Sequence, residues 1–197
     1  MLSRKEDYSS HDAANRVALL ARENLQLQAR VAELERLTAM DTLTPLFNRR
    51  YLMQELDRWC WRAHRYGGTF GLLYLDVDRL KSVNDTHGHA AGDAVLCAIA
   101  EALGNATRKS DVIARMGGDE FAVLLDSISA EKLAEKMNSV RRMLTGLAVP
   151  ITGSTLQIDV SVGCSLIESG SRASEVLIEA DRHMYADKRS KYGKAVG

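Results

Sequence analysis

Apolar positions recur at spacings of three and four through residues 15–40. Val17, Leu20, Asn24, Leu27, Val31, Leu34 and Thr38 form one seam in a stretch without glycine or proline. Taken alternately as a and d positions, the seam carries Val at two a positions and Leu at every d position through Leu34. That pattern predicts a helix suited to a parallel two-stranded coiled coil, with Asn24 at an a position fixing register. Arg30 at g and Glu35 at the following e are placed to pair across such a dimer. An amphipathic helix packed on its own domain is the alternative. Residues 1–14 are polar and read as a flexible N-terminus, and residues 41–197 as one globular domain.

Beyond Pro45, which cannot continue the first helix, the pattern predicts a series of elements. Asn48 caps a helix to about Tyr66, with Tyr51, Leu52, Leu56 and Trp59 inward. Thr69–Leu75 is a continuous apolar run, a buried central strand. A helical turn or two carries Lys81 and Val83 to Asn84-Asp85. A loop over Thr86–Asp93 follows, then a helix from Ala94 to Thr107. Val112–Ala114 and Phe121–Leu125 flank Gly117-Gly118 and read as a hairpin with Asp119 and Glu120 at its tip. A helix over Ser129–Leu147, a strand over Leu156–Ile167 with a hairpin partner near Ile151, and a helix over Ser174–Lys191 complete the chain. Strands mixed with helices in this irregular order predict an α+β sheet with helices packed on it.

Composition narrows the function classes. The chain has 26 basic and 26 acidic residues in 197, so bulk electrostatic attraction to nucleic acid or anionic membrane is not expected. No apolar run reaches the length of a membrane span, and the first residues lack a signal-peptide core. Cys60, Cys97 and Cys164 are widely spaced in apolar surroundings, which predicts reduced thiols and a cytoplasmic protein.

Chemistry concentrates where the central strand meets the hairpin. Asp76 ends one buried run, and Asp119 and Glu120 sit at a turn whose glycines let a ligand approach the backbone. If the strands are neighbours, Asp76 and Asp119 converge to hold a magnesium ion, with Glu120 nearby for a second ion or a proton. Asn84 and Asp93 lie beyond the same strand end. An amide oxygen and a carboxylate suit the donor-bearing edge of guanine. Lys81 and Lys188 are candidate phosphate partners. His87 and His89 lack the spacing of a zinc site and read as loop residues.

Four segments carry a resemblance: Asp76-x-Asp-x-Leu-Lys81-x-x-Asn84-Asp85, Gly88-His89-x-x-Gly92-Asp93, Arg115-x-Gly-Gly-Asp-Glu-Phe121 and Ala180-Asp-x-x-Met-Tyr-x-x-Lys188. Together they resemble the GGDEF-domain diguanylate cyclases from about Asp41 to Lys188. The resemblance implies a palm-like α+β fold, a mixed sheet surrounded by helices as in adenylyl cyclases and polymerase palms. It implies condensation of two GTP into cyclic di-GMP with release of two pyrophosphates, between two domains that each hold one GTP. By resemblance, Asp76, the Val77 carbonyl and Asp119 hold magnesium (or manganese), and Glu120 binds a second ion or helps remove the 3′-hydroxyl proton. Asn84 and Asp93, with His89 in the same loop, recognise guanine. Lys81, Lys188 and the backbone amides near Arg79 and Leu80 take the triphosphate.

The family's inhibitory product site implies a role for Arg108 and Asp111, with Arg115 adding to it and Lys136 loosely aligned with a further base. Three positions depart from the family pattern. Pro45 replaces a usual glycine, Leu80 a usual Phe, and the segment after Lys188 leaves the second phosphate-binding base open between Lys191 and Lys194. The expected partners are GTP, cyclic di-GMP and a second copy of the chain, with no nucleic acid and no membrane. The competing reading is a non-catalytic module that binds GTP or cyclic di-GMP. A polymerase palm is disfavoured by neutral charge and by the lack of finger or thumb subdomains.

Overall fold

The computed structural model describes residues 16, 17, 19–28, 30, 34 and 39–192, and the chain divides after Ala39 into two compact units. In the first, every described residue up to 34 is helical. The seam positions Val31 and Thr38, Glu35 beside them, and residues 1–15 lie outside the described residues. Met40, expected at the end of that helix, instead forms an antiparallel bridge with Phe47.

The described residues of the second unit run β1 (Phe47–Asn48), α1 (Arg49–Tyr66), β2 (Phe70–Val77), α2 (Leu80–His87), α3 (His89–Ala106), β3 (Val112–Gly117), β4 (Glu120–Leu125), α4 (Ala130–Leu144), β5 (Leu147–Ile151), β6 (Ser154–Ile158), β7 (Val160–Ile167) and α5 (Ala173–Tyr192). Five strands form one sheet in the order β1-β3-β4-β2-β7, and β5 and β6 form a separate hairpin. The short β1 runs parallel to β3, and the other pairings are antiparallel. The expected mixed sheet is therefore present, with β2 near its middle and buried along its whole length.

Period-two alternation sorts the side chains of β2 between two cores. Leu73, Leu75 and Val77 join Val95, Ile99 and Leu103 of α3 and Leu133, Val140 and Leu144 of α4. Leu72 and Tyr74 join Leu52, Leu56 and Trp59 of α1 and Val176, Ala180 and Met184 of α5. Asp76 continues the second set, so it emerges at the sheet end on the α1/α5 side. Helix α1 begins as expected: Asn48 Oδ1 accepts the Tyr51 N–H at 3.0 Å, and Gly67, at φ 74°, ends it.

Three further expectations are corrected. The segment 86–93 is not a loop: α2 runs to His87 and α3 starts at His89, with Gly88 alone between them at φ 83°. Its polar residues look loop-like, yet a single glycine with positive φ is enough to turn one helix into the next. The stretch Leu156–Ile167 is not one strand but two, broken at Asp159, with β6 in the hairpin and β7 in the main sheet. The Asp159 carbonyl accepts the Asp78 N–H at 2.9 Å, which ties that break to the end of β2. Leu147, placed in the preceding helix by its pattern, begins β5.

Helix α5 is held along β7 by residues four apart. Glu179 accepts the Ser165 hydroxyl at 2.5 Å, His183 Nδ1 lies 2.7 Å from the Cys164 carbonyl, and Asp187 accepts the Val162 N–H at 3.1 Å. Lys191 completes the series at Val160 O and Ser161. The adjoining stripe Val176, Ala180, Met184 is buried, and its next members are Lys188 and Tyr192.

Candidate active site

The hairpin closes on Gly118 and Asp119 between β3 and β4. Gly118 has φ 52° and Gly117 φ 138°, positions that favour glycine, and the pairing shifts register between Arg115 and Gly117. The turn is fastened to β2: Asp76 lies opposite Glu120, and the Val77 N–H donates to the Asp119 carbonyl at 2.9 Å. Asp76, Val77, Asp119 and Glu120 thus share one sheet end. Tyr74, two residues before Asp76 on the same face, lies near Glu120, and burial together with the Glu120 charge pushes the phenol well up. Nothing in the sequence pattern marked Tyr74 as more than core.

Lys188 reaches this end from α5, its Nζ 2.6 Å from Asp76 Oδ1. Burial pushes the Asp76 carboxyl up, the Lys188 ammonium pulls it back, and Asp119 and Asp78 add to the rise. Burial draws Lys188 down, but its bond to Asp76 outweighs this and holds it above its ordinary value. The balance describes a site short of positive charge.

Among the described residues, no three His, Cys, Asp or Glu side chains form a group able to hold a metal ion alone. A magnesium ion does not require one. It binds through one or two carboxylates, keeps waters, and takes further oxygens from substrate phosphates. The Asp76 and Asp119 carboxylates with the Val77 carbonyl are a hard oxygen donor set of that kind, so the residues fit an ion arriving with a polyphosphate. Asp78, the neighbouring carboxylate, is used otherwise. It accepts the Ser161 hydroxyl at 2.8 and 3.1 Å, and Lys191 Nζ stands 3.4 Å away.

Beyond β2, Arg79 makes the turn into α2 in the left-handed region, at φ 61° and ψ 24°. Lys81 and His89 are exposed. Asn84 holds a buried Oδ1 without a hydrogen-bond partner, an arrangement that costs free energy unless a donor arrives. Gly92 lies directly beneath it: a Cβ at that position would stand 1.9 Å from Asn84 Oδ1. Asp93 follows on an exposed position in the first turns of α3. A glycine inside a helix is explained here by the close approach of that amide.

Arg108 and Asp111 lie apart from this end. The Arg108 N–H donates to Asp111 Oδ2 at 2.8 Å, and the Asp126 N–H donates to Asp111 Oδ1 at 3.2 Å. They line a cavity of about 340 Å³ with Lys132, Lys136 and Ser139 of α4. Lys136 Nζ also donates to the Ala106 carbonyl. Arg115, expected to join this pair, is turned elsewhere. Its Nε and Nη2 donate to the Gly118 carbonyl at 3.1 and 2.7 Å, and Nη1 stands 3.4 Å from Asp41 Oδ1. Two of its N–H groups are thereby spent on bracing the turn and a third on Asp41. Asp41, which also accepts the Thr44 N–H and hydroxyl at 2.8 Å each, was not singled out by its sequence context.

Residues 38–194 match the family model described as diguanylate cyclase, GGDEF domain. The chain is 38% identical over 150 residues to diguanylate cyclase DgcP and 36% identical over 172 residues to diguanylate cyclase TpbB, both of Pseudomonas aeruginosa. Those alignments cover 76% and 85% of this chain but 22% and 39% of the relatives, so the chain spans well under half of their length. Among solved structures, diguanylate cyclase SiaD of P. aeruginosa, crystallised with its activator SiaC, superposes with a TM-score of 0.74 at 35% identity, covering 96% of this chain and 74% of that one. The coiled coil and GGDEF domain of DgcB from Caulobacter crescentus, in complex with c-di-GMP, gives 0.76 at 31% identity, covering 89% and 93%. With its Gly-Gly-Asp-Glu turn fastened across Asp76 in a mixed sheet of matching architecture, the chain belongs to the GGDEF-domain diguanylate cyclase family.

Proposed function

We propose that this chain is an active diguanylate cyclase that condenses two GTP into cyclic di-GMP and two pyrophosphates. The observation that carries this is the pairing of Asp76 with Glu120 and of Val77 N–H with Asp119 O, which puts three acids at one sheet end beside Lys188. A module that only binds nucleotide has no need of that arrangement. Guanine donors satisfy Asn84 Oδ1 and reach Asp93, with His89 alongside. Lys81, Lys188 and the α2 N-terminal amides near Arg79 and Leu80 bind the triphosphate. Asp76, the Val77 carbonyl and Asp119 would hold magnesium or manganese, which would supply charge neutralisation to the phosphates. Glu120 then receives the 3′-hydroxyl proton or holds a second ion. The test is incubation with GTP and magnesium, with nucleotides resolved by chromatography. GTP left intact at high protein concentration, with cyclic di-GMP still bound, would favour the non-catalytic reading.

Catalysis in this scheme needs two domains, because each supplies one GTP. The exposed seam residues support a parallel dimer: Val17, Leu20 and Leu27 are 66%, 57% and 61% exposed in one chain, and a second copy covers them. Leu27→Pro is expected to break the helix at a cost of ~3 kcal/mol and to lower specific activity at dilute protein. Activity measured across a dilution series checks this, and unchanged specific activity over the whole range would reject the dimer.

The cavity at Arg108 and Asp111 is proposed as an inhibitory site for cyclic di-GMP. Arg108 supplies a planar donor fork to phosphate or a guanine edge, and Asp111 retains acceptor capacity beyond its two backbone bonds. Arg108→Ala is expected to raise the inhibitory concentration of cyclic di-GMP by about tenfold or more without lowering the initial rate. Equal inhibition of mutant and parent would remove the site.

A further inference from the structure

We infer that the Arg79 side chain is the second phosphate-binding base of the site, held ready across the ring of Tyr192. The inference rests on reading the pocket as one for GTP. It answers a question that the sequence left open between Lys191 and Lys194. Lys194 lies outside the described residues, and Lys191 is committed elsewhere. Its Nζ stands 3.3 Å from Asp187 Oδ2 and 3.4 Å from both Asp78 Oδ2 and Ser161 Oγ, and it also donates to the Val160 carbonyl. An ammonium has three protons. With this many protein acceptors around it, Lys191 is a staple between α5 and β7, with little left for a nucleotide.

Arg79 has the opposite character. Its guanidinium carbon lies 4.5 Å from the centroid of the Tyr192 ring, and none of the ion pairs among the described residues involves it. Stacking fixes the plane of a guanidinium while leaving the N–H groups at its edge available. Tyr192 lies near the Asp78 carboxylate, and burial together with that charge pushes its phenol up. It stands four residues beyond Lys188, so the two side chains leave adjacent turns of one face of α5, about 6 Å apart at Cβ. Lys188 reaches Asp76, while Tyr192 receives Arg79 from the residue that follows Asp78. The end of β2 is therefore bracketed by two cations from different elements, one a point charge and one a fork. A point charge and a planar donor fork at one strand end suit a polyphosphate chain. The left-handed backbone at Arg79 starts the fork from the same point as the first amides of α2.

The test is isothermal titration calorimetry of the full chain, with magnesium, against a non-hydrolysable GTP analogue and against GMP. Arg79→Gln is expected to weaken the triphosphate analogue about tenfold while leaving GMP close to parental affinity, and Arg79→Lys to recover part of the loss. Tyr192→Leu, which removes the ring but keeps an apolar residue, is expected to weaken the analogue less than Arg79→Gln, again without affecting GMP. A purely structural role would weaken both ligands alike, and that result would overturn the inference. So would parental affinity of Arg79→Gln for the analogue, leaving the GTP reading intact. A parent protein that binds neither nucleotide would instead bring down the GTP reading, and this inference with it.

Discussion

Asp119→Asn is expected to reduce cyclic di-GMP formation by roughly a thousandfold, equivalent to ~4 kcal/mol of transition-state stabilisation, while leaving the fold intact. The two halves of that expectation come from different atoms of the same residue. Its backbone carbonyl fastens the turn to Val77, and Asn retains it. Its carboxylate faces Asp76 and contributes to pushing that carboxyl up. Removing this charge relieves repulsion at Asp76 but also takes an attraction from Lys188, and because the two effects oppose each other the thermal midpoint should hold. The paired measurements are nucleotide chromatography and thermal unfolding. Near-parental production of cyclic di-GMP would take Asp119 out of the chemistry, whereas lost activity with a strongly lowered midpoint would assign it a structural role instead.

The dissociation of backbone and side-chain roles at Asp119 also marks where sequence pattern succeeds and where it fails. The continuous apolar run Thr69–Leu75 announces a buried strand with Asp76 at its end, and two glycines before Asp119-Glu120 announce a tight turn. Both features are local, and both are present in the fold. What pattern could not supply was direction across elements. Arg115 stands close in sequence to Arg108 and Asp111, yet its side chain meets Gly118 and Asp41, because the extended strand carries it about 13 Å past Asp111, to the end that holds the turn. Lys191 looks like a free base on a helix end, yet α5 lies against β7 in a register that sinks it among Asp78, Ser161 and Asp187. Gly92 looks like a loop residue, and only the position of Asn84 on a different helix explains it. The break at Asp159 was missed for the same reason: the alternation of apolar and polar residues runs unbroken from Leu156 through Asp159 to Val162, but β6 and β7 join different sheets.

That register makes Gly163 the position where a single methyl group has the largest structural effect. A Cβ there would stand 2.1 Å from the Ala180 carbonyl oxygen and 2.2 Å from the Met184 nitrogen. Both are backbone atoms of α5, so no side chain can rotate away, and the helix must move bodily. Gly71 offers the contrast, because its nearest neighbours are side-chain rather than backbone atoms, the Leu133 Cδ1 at 2.6 Å, at the end of a flexible side chain, and Ile128 Cγ2 at 3.1 Å. Gly163→Ala is expected to cost ~3 kcal/mol and Gly71→Ala ~1 kcal/mol, a difference of several degrees in thermal midpoint. The larger loss has a functional consequence that follows from the stripe. Glu179, His183, Asp187 and Lys191 meet β7 at successive turns, and Lys188 is carried to Asp76 by the same placement. Displacing α5 by an ångström therefore draws Lys188 from the acid cluster, and GTP turnover should fall even below the unfolding temperature. Thermal unfolding and initial rates measured on both variants check this. If Gly163→Ala kept both its midpoint and its rate, α5 would not be seated on β7 as closely as the fold requires.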